Sequence, residues 1–206
     1  MSGKVAIKDA FSYGWEAFVR NFFFFAALFA ISLFPLLLLE VASKRWEEAS
    51  FLWNVVKLAS SLWRILTAMA VLSACLYIFD YGKASLLAFS GLFKRFVPYF
   101  VVTTLYGLML GLGLMVFVVP GLYLGVVFQF APYLVLDGAV GPIEALKESA
   151  SLTKGNRWEL FMLDVLVILA NLGGAFLFGI GVVVTVPVTF LAVTFVYRRF
   201  LNLSGA

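Results

Sequence analysis

From Phe22 to Leu39 the chain reads FFFFAALFAISLFPLLLL, without one charged side chain. A helix needs about 20 apolar residues to cross the hydrocarbon core of a bilayer. Lipid offers the backbone no hydrogen-bond partners, so a run this apolar restricts the fold to helices that satisfy themselves. Runs of the same kind recur. The sequence predicts six spans: Phe22–Val41, Phe51–Phe79, Val97–Val119, Gly121–Leu136, Glu159–Phe178 and Val182–Tyr197. The fourth and sixth are short, and each follows an uncharged turn, at Pro120-Gly121 and at Gly179-Ile180-Gly181. Proline and glycine stop helices at such places. The second span exceeds one crossing, so it is expected to project or bend.

Composition points the same way. The chain is 64% hydrophobic and 13% charged, with mean hydropathy +1.05, against about 45–50% apolar and about 25% charged for soluble domains. No polar block is long enough for a separate soluble domain, so residues 1–206 are expected to form one all-α membrane domain. The first apolar run is too long for the core of a signal peptide, and no small-x-small cleavage site follows it. It is expected to be a retained span.

Histidine is absent and Cys75 is the sole cysteine. An intrachain disulfide is impossible, and the usual zinc ligand sets are missing, so no metal is expected. A Ser-His-Asp set is impossible too. No paired carboxylates share a span, and no glycine-rich phosphate loop follows a strand. No cofactor site emerges, and a non-enzymatic protein is expected. The net charge of +4 sits beside apolar spans. Anionic lipid headgroups fit that placement, and a nucleic acid does not.

Lys and Arg set orientation. Lys4, Lys8, Arg20, Lys83, Lys94, Arg95, Lys147, Lys154, Arg157, Arg198 and Arg199 fall on one side of the predicted spans; Lys44, Arg45, Lys57 and Arg64 fall on the other. Both termini are therefore expected on the cytoplasmic side. Trp46, Trp53 and Trp63 on the far side, with Trp15, Trp158 and Tyr197 on the near side, fit two aromatic belts.

Three stretches line up: AFSYGWEAFVRNF from Ala10, SLLAFSGLFKRFV from Ser85 and ALKESASLTKGNR from Ala145. Each leads through a basic cluster into a span. The hairpins also end alike, in ACLYIFD (Ala74–Asp80), APYLVLD (Ala131–Asp137) and AVTFVYR (Ala192–Arg198). The expected unit is an amphipathic helix plus a two-span hairpin, repeated over about 5–80, 83–137 and 142–199. Convergent interface chemistry is the alternative. Ile7, Phe11, Trp15, Phe18 and Phe22 make the clearest stripe. Leu86, Phe89, Phe93 and Phe96 make a second, and Ile143, Leu146 and Ala150 a weaker third. Such helices are expected to lie in the headgroup plane, apolar face down. The third is expected to end at a left-handed Gly155. Asn156 would cap the next helix and Arg157-Trp158 would mark the interface, with Asn21 in the matching place before the first span.

The series Pro120-Gly121-Leu122-Tyr123, Ala131-Pro132-Tyr133-Leu134-Val135-Leu136-Asp137, Gly141-Pro142-Ile143-Glu144-Ala145-Leu146 and Ser149…Leu152-Thr153-Lys154-Gly155-Asn156…Trp158 carries a family resemblance. It resembles the membrane domain of some glycerophosphoryl diester phosphodiesterases and related stand-alone, YciC-like six-span proteins of bacteria and archaea. The resemblance implies an all-helical bundle and no activity. In the fused relatives catalysis belongs to a separate soluble domain, so no catalytic residue carries over.

An ionisable residue inside a span is a functional-site hypothesis by default. Asp164, about 9 Å into the fifth span at 1.5 Å per residue, is the first candidate. Gln129, Thr189 and Ser73 fall near its level and Asn171 deeper, a candidate polar layer between helices. The layer serves either as helix glue, with Asp164 snorkelling or paired to Arg157, or as a proton or substrate site. Arg20, Lys94, Arg95, Lys154 and Arg157 are candidate headgroup contacts. Lys57 and Arg64 are read as snorkelling from a projecting helix, with an outward basic stripe that attracts an anion as the alternative. Gly107, Gly111 and Gly113 offer a small-residue face for close helix packing, and for an oligomer or protein partner. Ser149, Ala150, Ser151, Thr153 and Gly155 would admit another helix or a headgroup. Pro35, Pro132 and Pro187 can kink their spans, and Cys75 is expected to be packing. The expected role is lipid interaction or membrane organisation. The alternative is a transporter or lipid carrier with a polar cavity around Asp164.

Overall fold

The computed structural model describes residues 6–43, 51–138, 140–176 and 180–204. These form nine α-helices and one 3-10 turn, with no strand among the described residues. The helices are α1 (Ile7–Arg20), α2 (Phe22–Ser43), α3 (Phe51–Tyr81), α4 (Leu92–Val116), α5 (Val118–Phe128), α6 (Ala131–Asp137), α7 (Pro142–Leu152), α8 (Arg157–Phe176) and α9 (Ile180–Ser204). Five stretches are long and apolar enough to cross a membrane: Trp53–Tyr81, Leu92–Val116, Val118–Asp137, Arg157–Phe176 and Gly181–Leu203. A sixth emerges when α1 and α2, bent by 82°, count as one. Lys4, Lys44, Arg45, Trp46 and Gly179 lie outside the described residues.

Asn21 makes the α1–α2 corner. Its backbone carbonyl accepts from Phe24 and Phe25 at 3.1 and 3.2 Å, starting α2. Its Nδ2 donates to the Ala17 carbonyl at 2.8 Å, closing α1. Its Oδ1 accepts from the Ala84 N–H at 2.8 Å, which ties the corner to the segment after α3.

α1 packs through a face other than the one its aromatic stripe marks. Its buried face is Ala10, Gly14, Ala17 and Phe18, and it packs on α9. A Cβ on Gly14 would sit 2.5 Å from the Val188 carbonyl oxygen. Small residues one position off the aromatic stripe thus set the contact, because they let the backbones approach. Of the stripe, Phe18 is buried, while Trp15 and Phe22 stay exposed.

The second amphipathic stretch is broken. Leu86–Phe89 is a 3-10 turn, Gly91 takes φ +80°, and α4 begins at Leu92. Phe93 and Phe96 therefore belong to the span. The Ser85 hydroxyl accepts from the Leu87 N–H at 3.2 Å, a local bond that competes with continuous helix.

The α4–α5 turn is also displaced. It falls at the extended Phe117 (φ −160°), and Pro120 and Gly121 lie inside α5. Proline is tolerated in a first turn, where its missing N–H has no intrahelical partner to lose. Gly121 instead serves packing: a Cβ on Gly113 would meet the Gly121 Cα at 2.7 Å.

The core centres on Phe130, Tyr133, Leu134, Leu160, Leu163 and Tyr197, with Met69, Leu72 and Val102 around them. Cys75 packs in a second cluster with Phe18, Phe25 and Ile78. Exposed Ile31, Phe34, Leu108, Leu112, Leu169 and Phe176 make an apolar exterior suited to lipid.

Candidate functional site

α3, α6 and α9 bring charge to one end of the bundle. Asp80 is the penultimate residue of α3, Asp137 the last of α6, and Arg198 lies in the C-terminal part of α9. The Arg198 guanidinium grips Asp137 through Nη1–Oδ2 at 2.7 Å and Nη2–Oδ1 at 2.9 Å, and reaches Asp80 Oδ2 at 2.6 Å. The Tyr197 hydroxyl donates to Asp137 Oδ2 at 2.8 Å. The paired fork is the strong geometry for an arginine and a carboxylate. Arg198 and Asp137 are 14% and 20% exposed, whereas Asp80 is 39% exposed. Asp137 is therefore the structural partner, and Asp80 faces outward.

Arg95 completes the charge balance. Its Nη1 donates to the Leu136 carbonyl, and its guanidinium fills the space beside Gly138, which has φ +85°. Beside these groups lies a cavity of about 490 Å³, lined in part by Ser73, Tyr77, Asp80, Tyr81, Ser90, Arg95, Asp137 and Arg198. The Tyr77 and Tyr81 rings stack in its wall, with centroids 4.4 Å apart. Asp80, Asp137 and Arg198 are the residues that close ACLYIFD, APYLVLD and AVTFVYR. Sequence reasoning sets them in register but misses that two acids and one base at matching ends form an ion-pair centre.

Of the polar layer, the structure joins Asn171 and Thr189. Asn171 Nδ2 donates to Thr189 Oγ1 at 3.2 Å, a bond between α8 and α9. Gln129 turns back to the Val126 carbonyl, and Ser73 lines the charged-end cavity. Asp164 is half-buried, within electrostatic reach of Tyr106 and Tyr133. The pairing with Arg157, weighed from the sequence as one alternative, is not formed. Arg157 is drawn away to the Tyr123 hydroxyl and ring face and the Ala150 carbonyl.

The motif around Ser149 is a clasp. Pro132 has no N–H to give, and the chain breaks between α5 and α6 at Gln129-Phe130. α7 fills the gap. Ser149 Oγ donates to the Val127 carbonyl at 2.9 Å and accepts from the Phe130 N–H at 3.2 Å. Thr153 Oγ1 reaches the same carbonyl at 3.4 Å, and both side chains are fully buried. The helix these small residues admit is thus the chain's own. Gly155 takes φ +92°. Asn156 starts α8 with its backbone carbonyl, 3.0 Å from the Leu160 N–H, while its Oδ1 has no partner, so the expected side-chain cap is absent.

The candidate headgroup contacts divide. Arg20, Lys94 and Lys154 are exposed, whereas Arg95 and Arg157 are held by the fold. A Cβ added at Gly107 or Gly111 would meet nothing within 4 Å, so that face is open, and Gly113 is buried against Gly121. An apolar groove of about 330 Å³ runs between α5 and α8 beside Tyr123 and Trp158, and one of about 230 Å³ lies beside Trp63 and Phe93.

Residues 113–204 match DUF975, a protein family of unknown function. No curated protein and no solved structure matches the chain. The DUF975 match takes in Gly121, Pro132, Ser149, Asp137 and Arg198, and leaves out Asp80 and Arg95.

Proposed function

We propose that this is a non-enzymatic integral membrane protein that engages anionic lipid headgroups and organises the membrane around it. One observation carries the reading. Arg20, Lys83, Lys94 and Arg199 are exposed: Lys94 and Arg199 adjoin Arg95 and Arg198 of the charged end, Lys83 follows the end of α3 that carries Asp80, and Arg20 precedes Asn21, which is bonded to Ala84 in that same segment. The α4–α5 tip, by contrast, is exposed and apolar from Met115 to Val119. Each near-surface Lys or Arg contributes about 1 kcal/mol of attraction to an anionic leaflet. On the positive-inside rule the charged end is cytoplasmic.

The reading includes three units of amphipathic segment plus hairpin, supported by the meeting of Asp80, Asp137 and Arg198. The likeness to phosphodiesterase-type membrane domains enters it for architecture alone. The carrier alternative gains no support from the three cavities described, which are lined by residues other than Asp164.

The test is native mass spectrometry of the protein released from membranes with its own lipids. The wild type is expected to retain phosphatidylglycerol or another anionic lipid. The combined variant Arg20→Gln, Lys83→Gln, Lys94→Gln, Arg199→Gln is expected to lose most of it. Equal retention by both would overturn the reading.

A further inference from the structure

The charged-end cavity carries a more specific inference than attraction to a charged leaflet. Two carboxylates and two guanidiniums line it, so its formal charge is balanced and a simple anion gains little. Its charges are not equally committed. Arg198 is spent on Asp80 and Asp137. Asp80 gives Arg198 only Oδ2, and its Oδ1 accepts no hydrogen bond among the described residues. The stacked Tyr77 and Tyr81 rings stand one turn apart on the same helix, flanking Asp80. A carboxylate beside aromatic faces recognises an ammonium group, through Coulomb attraction and cation–π contact. Arg95 spends Nη1 on the Leu136 carbonyl, while its Nη2 lies against Gly138 and makes no hydrogen bond among the described residues. A guanidinium so placed suits a phosphate oxygen. At the lip, Leu86 and Leu87 are 78% and 66% exposed, and Leu87 lines the cavity.

We propose that this cavity binds a zwitterion, with its ammonium at Asp80 and the Tyr77–Tyr81 pair and its phosphate at Arg95. A phosphoethanolamine group has this chemistry, either on a lipid, whose chains would lie along Leu86 and Leu87, or free in solution. The inference deepens the lipid-interacting reading above, but it concerns one built site and a different lipid class.

The experiment uses the full chain in nanodiscs, read by native mass spectrometry. One arm is doped with phosphatidylethanolamine and one with phosphatidylglycerol; a third, in detergent, receives free phosphoethanolamine. The Gln-substituted basic variant, in which the exposed collar no longer draws phosphatidylglycerol, is expected to retain one phosphatidylethanolamine in preference to phosphatidylglycerol. Asp80→Asn is expected to weaken that retention by about tenfold, the scale of one lost cation–π or charge contact. Tyr81 is 70% exposed, so Tyr81→Leu removes an aromatic face with the fold intact and is expected to act in the same direction. Binding of free phosphoethanolamine as tight as that of the lipid would uphold the site and assign it to a soluble ligand. Retention of both lipids alike, or retention unchanged in Tyr81→Leu, would overturn the proposal. The Gln-substituted basic variant is scored separately on phosphatidylglycerol, so the two readings fail independently.

Discussion

Arg198 holds Asp137 through both carboxylate oxygens, at 2.7 and 2.9 Å, and so locks the end of α9 to the end of α6. Asp80 adds α3 through a single contact at 2.6 Å. All three residues lie toward the C-terminal ends of their helices, so α3, α6 and α9 run toward the same end of the bundle. The ion pair thus fixes the relative direction of three spans as well as their spacing.

Removing one partner of a poorly solvated pair leaves the other charge uncompensated, at about 3–5 kcal/mol. Asp137→Ala is therefore expected to lower stability by about 3 kcal/mol, toward the low end because Asp80 still faces Arg198. The more exposed Asp80 is worth about 1 kcal/mol. Thermal unfolding in one detergent measures both variants. Equal losses would show that the fork on Asp137 has no special weight.

Ser149 and Lys154 sit five residues apart in the same motif but carry different loads. Ser149→Ala strips the Phe130 N–H of its partner inside the core, at about 1–3 kcal/mol. Ser149→Leu is expected to do more damage, because its fully buried site against the α5–α6 break has no room for the larger side chain. Lys154→Ala, at an exposed position, is expected to leave stability unchanged. The same unfolding assay separates them, and a silent Ser149→Leu would dissolve the clasp.

Gly14 and Gly107 make a second contrast. A Cβ at Gly14 would press on the Val188 carbonyl oxygen at 2.5 Å, and one at Gly107 would meet nothing within 4 Å. Gly14→Ala is expected to loosen α1 from α9 by about 1–3 kcal/mol, seen as faster proteolysis after Lys8 or Arg20. Gly107→Ala is expected to leave that cleavage unchanged. Gly107→Leu tests the open face differently: if a second copy packs there, the oligomeric mass falls in blue native gels.

What the sequence discloses follows from which physics is local. Apolar runs are local, so the spans that begin near Phe22 and Phe51 can be read from hydrocarbon alone, whereas the third is read from Val97 because Lys94 and Arg95 hide the helix start at Leu92. Boundaries are lost where tertiary contact decides. Gly121 has the composition of a turn, yet it is a packing residue because Gly113 lies opposite it. The α1 stripe is conspicuous in its large side chains, whereas the docking face is set by the small ones at Ala10, Gly14 and Ala17. Asp164 and Arg157 are two turns apart on one helix, but Tyr123, distant in sequence, claims the arginine. Asp80, Asp137 and Arg198 stand in register along the chain; that opposite charges at those ends meet depends on three helices in space.

The direction of the spans gives a test independent of stability. Cys75 is buried and is the chain's sole cysteine, so Cys75→Ala supplies a background free of thiols. New cysteines replacing Lys83, Lys94 or Arg199, all exposed and all beside the charged end, share one side if α3, α6 and α9 run in parallel. A membrane-impermeant maleimide is expected to label all three in inverted vesicles and none in intact cells. A cysteine replacing Phe117, exposed at the uncharged α4–α5 tip, is expected to resist labelling in inverted vesicles. Labelling of Lys83→Cys and Arg199→Cys from opposite sides would contradict the ion-pair geometry itself. Labelling of all three from outside would keep that geometry and reverse the protein in its membrane.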